Sequence, residues 1–170
     1  MTEDDLVRRA VKLVRENRYL TLATCGGGMP WAAPINYVIG PGSHLHFYST
    51  PTARHSRHIA ATRSVAAAIF DSTAVGDDVD GMQFVGECAE VTGPELAAVC
   101  EHYFATNFPD PQVREWWYRP PTEFEGDGTW RFYRLEFTEI HLIDVESFEE
   151  TKVDARVEVP LARFLDALRA

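Results

Sequence analysis

A chain of 170 residues, 45% hydrophobic and 25% charged, has the size and composition of one globular domain able to bury a sizeable core. Its formal net charge of -10 excludes nucleic acid and anionic membrane as main partners, because both require a broad basic face. Cys25, Cys88 and Cys100 show no C-x-x-C spacing, so they form neither a disulfide framework nor a zinc knuckle and fit a reducing, cytoplasmic setting; no apolar run reaches membrane-spanning length and MTEDDLVRRAV lacks a signal-peptide core.

Thr2 followed by Glu3, Asp4 and Asp5 marks a helix start. Leu6, Val7, Ala10, Val11 and Val14 recur at helical spacing, which predicts a helix over about 3–17. YLTLATC reads as a strand, GGGMP as a turn and WAAPINYVI as a second strand in which Pro34 marks an edge or a bulge. GPGS turns again and HLHFYS is a third strand. In STPTARHSRHIAATR the period changes: Thr50 as cap and Pro51 as first helical residue predict a helix of about three turns. SVAAAIFD is continuously apolar and predicts a central strand. STAVGDDVDG is an acidic loop, and its DDVDG lacks the spacing and closing Glu of a calcium loop. MQFVGECAEVT is a fifth strand with Gly86 marking a bulge. Gly93-Pro94 opens a helix through ELAAVCEHYFATNF, and PDPQVREWWY adds a further helical turn or two. After the loop RPPTEFEGDG, TWRFYRLEF and EIHLIDVES read as the last two strands, and Pro160 starts a closing helix over about 160–169. About seven strands in meandering order predict a single domain over 1–170, mainly β with peripheral helices, built as an antiparallel split or closed barrel because curling protects strand edges.

The unusual stretch is HFYSTPTARHSRH, where Arg54, His55, Arg57 and His58 gather in an acidic chain. A helix N-terminus directly after a strand offers free N–H groups and a positive dipole end. Ser49 and Thr50 add hydroxyls, the Arg54 guanidinium suits a phosphate, and His55 or Arg57 can meet a second negative charge. Helical spacing puts Arg54, Arg57 and His58 on one side and turns His55 toward Ile59, half-buried. The convergence predicts a site for a compact anion. Elsewhere, His44 and His46 alternate on one strand face without a third ligand and read as a solvent-facing pair, not a metal site. Cys25 reads as a buried strand-end residue, and no nucleophile elbow is present.

The order of these motifs resembles the pyridoxamine 5'-phosphate oxidase-like, FMN-binding split-barrel family over about 18–144. Tyr48-Ser49 followed by Arg54-His55 is similar to that family's aromatic-Ser/Thr strand end and its later basic pair. GMQFVGECAEV is similar to a strand whose Gln approaches the flavin, WRFYR to a W-x-x-[YF]-R segment, and WAAPINYV sits where the family lines the isoalloxazine. The resemblance implies FMN at a homodimer interface with contacts from both chains. Ser49, Arg54 and His55 would hold the phosphate, with Tyr48 and Thr50 also in the cofactor site. Pro34, Ile35, Asn36 and Tyr37 would face the ring or ribityl chain, Gln83 would hydrogen-bond near the ring, and Trp130 would come from the second chain. EFTEIHLIDVESFEE lacks the R-x-H pair of the vitamin oxidases, so the implied activity is an oxidoreductase or reductase with an unassigned small-molecule substrate. Similar barrels bind haem, for which His44, His46, His102 or His141 would be the axial ligand, or the deazaflavin F420; a non-catalytic carrier or sensor is the alternative to turnover.

Overall fold

Consecutive residues lie on opposite edges of the same sheet in this protein, and that decides its shape. The computed structural model describes residues 1–75 and 80–170, so most of DDVDG falls outside the described residues. The strands are β1 (Tyr19–Gly26), β2 (Met29–Asn36), β3 (Val38–Gly40), β4 (His44–Ser49), β5 (Ser64–Phe70), β6 (Gly81–Glu90), β7 (Arg131–Ile143) and β8 (Arg156–Glu158). All pair antiparallel, in the order β2-β1-β5-β6-β7-β4-β3, with β8 added beside β7. Only Tyr37 separates β2 from β3, yet these are the two ends of that order. Adjacent Cα atoms are about 3.8 Å apart, so the two edges must come round to meet. The sheet is therefore a curled, antiparallel half-barrel with its core inside.

The inner face carries Leu20, Leu22, Val65, Ala67, Ile69, Phe84 and Leu135, all buried. Helix α1 (Glu3–Glu16) is set by a capping box in which the Thr2 hydroxyl accepts from the Asp5 N–H and the Asp5 carboxylate accepts from the Thr2 N–H. It buries Ala10 and Val14 against this core, and α6 (Leu161–Arg169) adds Phe164 and Leu168. Arg163 ties the two helices by pairing with Glu3 and Asp4. A second, aromatic cluster lies where α3 (Glu95–Asn107) packs on β4 and β7, with Phe104, Phe124 and Phe132 fully buried. Helices α2 (Arg54–Thr62), α4 (Pro111–Trp117) and α5 (Val145–Thr151) complete the set.

Four boundaries differ from the sequence expectation. The expected strands around 129–137 and 139–147 are one strand, β7, interrupted at Thr138, which has no partner between the pairs Gly86–Phe137 and Val85–Glu139. Gly86 sits at that bulge as expected, because a Cβ there would lie 2.3 Å from the Glu136 carbonyl oxygen. The expected second strand divides at Tyr37 into β2 and β3. The tail beyond Asp144, read partly as strand, is α5, capped by the Asp144 side chain, and then the short β8. Finally, α2 begins at Arg54: Thr50 and Pro51 belong to a turn closed by the Ala53 N–H on the Thr50 carbonyl.

Candidate functional site

The first helical bond of α2 runs from the Arg57 N–H to the Ala53 carbonyl, so the N–H groups of Arg54, His55 and Ser56 have no partner within the helix. Ala53 at the cap supplies no side-chain acceptor. This donor end lies three residues later than the sequence placed it, and Thr50 does not cap it. On one side the His55 Nε2 meets the Ser49 Oγ at 2.9 Å. His55 is half-buried beside Phe47, and burial, aided by the neighbouring His58, lowers its pKa. On the other side the Arg54 guanidinium stacks over the Trp31 ring, 4.6 Å from its centroid. The His58 Nδ1 is 3.0 Å from the Thr24 Oγ1. Thr24 and Trp31 are directly opposite across β1 and β2, so one rung of the hairpin holds both cationic side chains. Among the described residues Arg8, Arg9, Arg131, Arg134 and Arg163 all pair with carboxylates, whereas Arg54, Arg57 and His58 pair with none. Two hydroxyl- or imidazole-bearing residues, an uncapped helix start and an unpaired guanidinium are a donor set that fits a terminal phosphate. Nothing in the chain pattern marked Trp31 or Thr24; their part emerges only from strand register.

A second region lies on the other face of the sheet. Register aligns Pro34, Thr21, Ala68, Gln83 and His141 in one cross-strand row, and Ala32, Ala23, Ala66, Val85 and Glu139 in the next. This outer face is a shallow depression of about 400 Å³, floored largely by methyl groups. The Arg156 Nε donates to the Gln83 Oε1 at 3.2 Å, which leaves the amide NH₂ of Gln83 free to face the depression. The structure thus brings Pro34 and Gln83 to one surface. It does not bring them to Arg54, whose Trp31 contact lies on the inner face with Thr24 and Leu22.

Other expected contacts lie inside the protein. Ile35 points into the main core, and Tyr37 is buried there with its hydroxyl donating to the Val14 carbonyl at 2.8 Å; burial raises its pKa. Asn36 joins β2 to helix α3, donating to the Arg18 carbonyl and accepting from the Tyr103 hydroxyl at 2.9 Å. Tyr48 packs edge-on against Tyr103, Phe124, Phe132 and Trp130 within the aromatic cluster, so both Tyr48 and Trp130 serve as packing in this chain. His46 is no solvent-facing partner of His44. It is 2% exposed, its Nδ1 is buried without a partner among the described residues, and burial, with smaller contributions from His44, Arg134 and His102, lowers its pKa to about 4. The reason is tertiary: helix α3 packs over the face of β3 and β4 that carries Val38 and His46, while His44, near the start of the strand, is half-buried. Cys25, expected to be buried, is exposed, because it falls on the outer face of β1. Among the described residues no three His, Cys, Asp or Glu side chains gather as a metal site, and no helix is long and apolar enough to cross a membrane.

Known proteins share this fold. A family model described as pyridoxamine 5'-phosphate oxidase matches residues 6–143. Among curated proteins, none matches the sequence. Similar solved structures include a heme binding protein from Mycobacterium smegmatis, 15% identical with a TM-score of 0.66, covering 94% of this chain and 60% of that one. HutZ, the heme storage protein from Vibrio cholerae, is 14% identical with a TM-score of 0.62, over 82% of this chain and 94% of its own. An FAD-binding protein from Mesorhizobium loti is 17% identical with a TM-score of 0.55, over 82% and 90%.

Proposed function

This chain belongs to the pyridoxamine 5'-phosphate oxidase family, and from that premise we propose that it is an FMN-binding flavoprotein acting as an oxidoreductase on a small molecule. The observation that carries the reading is the unpaired Arg54 guanidinium beside the uncapped start of α2, with His55 and Ser49 in hydrogen-bond contact next to it. The guanidinium and the free N–H groups at the start of α2 would hold a phosphate dianion by charge-assisted hydrogen bonds. Bound flavin would supply the electron-transfer chemistry, and the protein would contribute anchoring, orientation and exclusion of water. On the outer face, the flat row from Pro34 to Gln83 would receive a planar ring, with the Gln83 NH₂ donating to a ring acceptor.

Because Arg54 and Gln83 lie on opposite faces of one sheet, a single chain does not offer both to one ligand. A second copy of the chain, laid against the apolar outer face, would complete the site. An antiparallel sheet with apolar residues on both faces calls for cover on both. A haem reading has less support here. Two of its candidate axial ligands are engaged, the His102 Nε2 lying 2.8 Å from the Ile39 carbonyl oxygen and the His141 Nε2 2.6 Å from Glu139, and His46 is buried; half-buried His44 has no hydrogen bond among the described residues.

The test is an absorption spectrum of the purified protein, which separates flavin bands from a Soret band or deazaflavin absorption, followed by FMN titration. Arg54→Ala is expected to weaken FMN binding by about 10- to 150-fold, the equivalent of losing a charged contact worth about 1.5–3 kcal/mol. Unchanged affinity would place the phosphate elsewhere. Gel filtration is expected to show a dimer, and a strict monomer would remove half of the proposed site.

A further inference from the structure

Resting on the FMN reading, we infer that the Thr24–Trp31 rung of the β1–β2 hairpin positions Arg54 and His58 as a fixed pair of side chains, so that His58, not His55, joins Arg54 at the flavin's phosphate. Arg54 and His58 are one helical turn apart on α2 and share a side. Each is held from the same rung: Arg54 by the face of Trp31, 4.6 Å away, and His58 by the Thr24 hydroxyl at 3.0 Å. Thr24 is buried, and its hydroxyl holds the His58 Nδ1 in a hydrogen bond, which leaves Nε2 as the ring's remaining polar atom. The Cδ2–Nε2 edge of the His58 ring lies close to Gly26, where a Cβ would come within 2.4 Å of it. A side chain at position 26 would therefore push the imidazole off the hairpin. Trp31 is 42% exposed, so its ring is a platform at the rim of the barrel, not part of the sealed core. A guanidinium held over an indole face keeps the N–H groups in its own plane free, so the contact fixes its position without using a donor. His55 is arranged differently: its Nε2 is occupied by Ser49 and its ring is half-buried beside Phe47. Burial disfavours its charged form. Trp31 and Thr24 are thus positioning residues, and His58 is a specificity residue for phosphorylated over unphosphorylated flavin.

FMN and riboflavin differ only in the phosphate, so the ratio of their affinities isolates it. Titrations of both with the wild type, Trp31→Ala, Trp31→Phe, His58→Gln, His55→Gln and Gly26→Ala would decide the matter, with thermal melts confirming that each variant folds. His58→Gln is expected to lower FMN affinity by about tenfold with riboflavin affinity unchanged. Trp31→Ala should lower it about two- to fivefold, with Trp31→Phe retaining most of the wild-type preference. Gly26→Ala should reproduce the His58→Gln loss, and His55→Gln should cost less than His58→Gln. A preference for FMN that survives both His58→Gln and Trp31→Ala, or falls further in His55→Gln, overturns the inference while the FMN reading stands. Equal losses for FMN and riboflavin in Trp31→Ala would also overturn it, by placing Trp31 against the ring. A wild-type protein that takes up neither flavin removes the reading and the inference together.

Discussion

The two faces of the β1–β5–β6 region are both apolar and have different fates. Inside, Leu22, Ala67 and Phe84 form one cross-strand row, sealed in the core. One residue along each strand, Ala23, Ala66 and Val85 form the neighbouring row and are exposed. Hydrophobicity is similar on the two sides; what differs is size. The inner row alternates large and small side chains that interdigitate, as a close-packed interior requires. The outer row is nearly all methyl groups, which make a flat surface and leave a shallow depression. A packed core consumes an apolar face, whereas a flat methyl face keeps it available for another surface or a planar ligand.

The sharpest way to separate the faces is to cut into the inner one. Phe84 is buried and its ring lies 4.7 Å from that of Phe137. Phe84→Ala is expected to cost about 3–5 kcal/mol, read from denaturant midpoints. A loss no larger than that of a surface substitution would mean the inner face is not the core.

Acid tests a different place, the polar weak point on the face of β4 that α3 covers. His46 stays neutral in the folded chain, with its pKa lowered to about 4, against about 6.5 when unfolded. Between those values the unfolded chain binds the extra proton, so stability is complete above pH 6.5 and declines as pH falls toward 4, by at most about 3 kcal/mol. His44 and His55, also lowered by burial, act in the same direction. Urea melts at pH 7 and pH 5 should show the decline, and His46→Gln should flatten it; an identical pH slope in that variant would refute the assignment.

A smaller effect is expected where two backbones touch. Gly86→Ala would press a methyl group against the Glu136 carbonyl and should cost about 1–3 kcal/mol. A neutral result would show that the β7 bulge yields freely. The smallest effect on folding belongs to the outer face: Ala66→Glu should change monomer stability by no more than about 0.5 kcal/mol. If a second copy covers that face, the same substitution should convert a dimer to monomer on gel filtration. An unchanged dimer would move the interface elsewhere.

Much of the local structure was legible because short-range rules produce it. Thr2 and Asp5 cap α1, Gly27 and Gly28 both take positive φ in the two-residue β1–β2 turn, and Gly86 marks a bulge. Arg54 was legible as an anion-binding candidate from charge and helix position. The helix start was misplaced because Thr50 and Pro51 satisfy a turn as readily as a cap. His46 was misread because alternation gives the face of a strand without saying what covers it. β7 was divided in two because a bulge residue breaks alternation in the same way as a strand end.

The sequence alone determined most of the strands and helices but not all of their bounds, that a cationic cluster follows the third of the predicted strands, and the family whose motifs it carries, since propensity, capping and charge act over a few residues. Tertiary structure alone decided that β2 and β3 meet around a curled sheet, that Ile35 and Tyr37 are core while Pro34 and Gln83 share an outer row, and that Trp31 and Thr24 hold Arg54 and His58. The physical reason is register: a shift of one residue moves a side chain to the opposite face, and the pairing that sets it joins residues far apart along the chain.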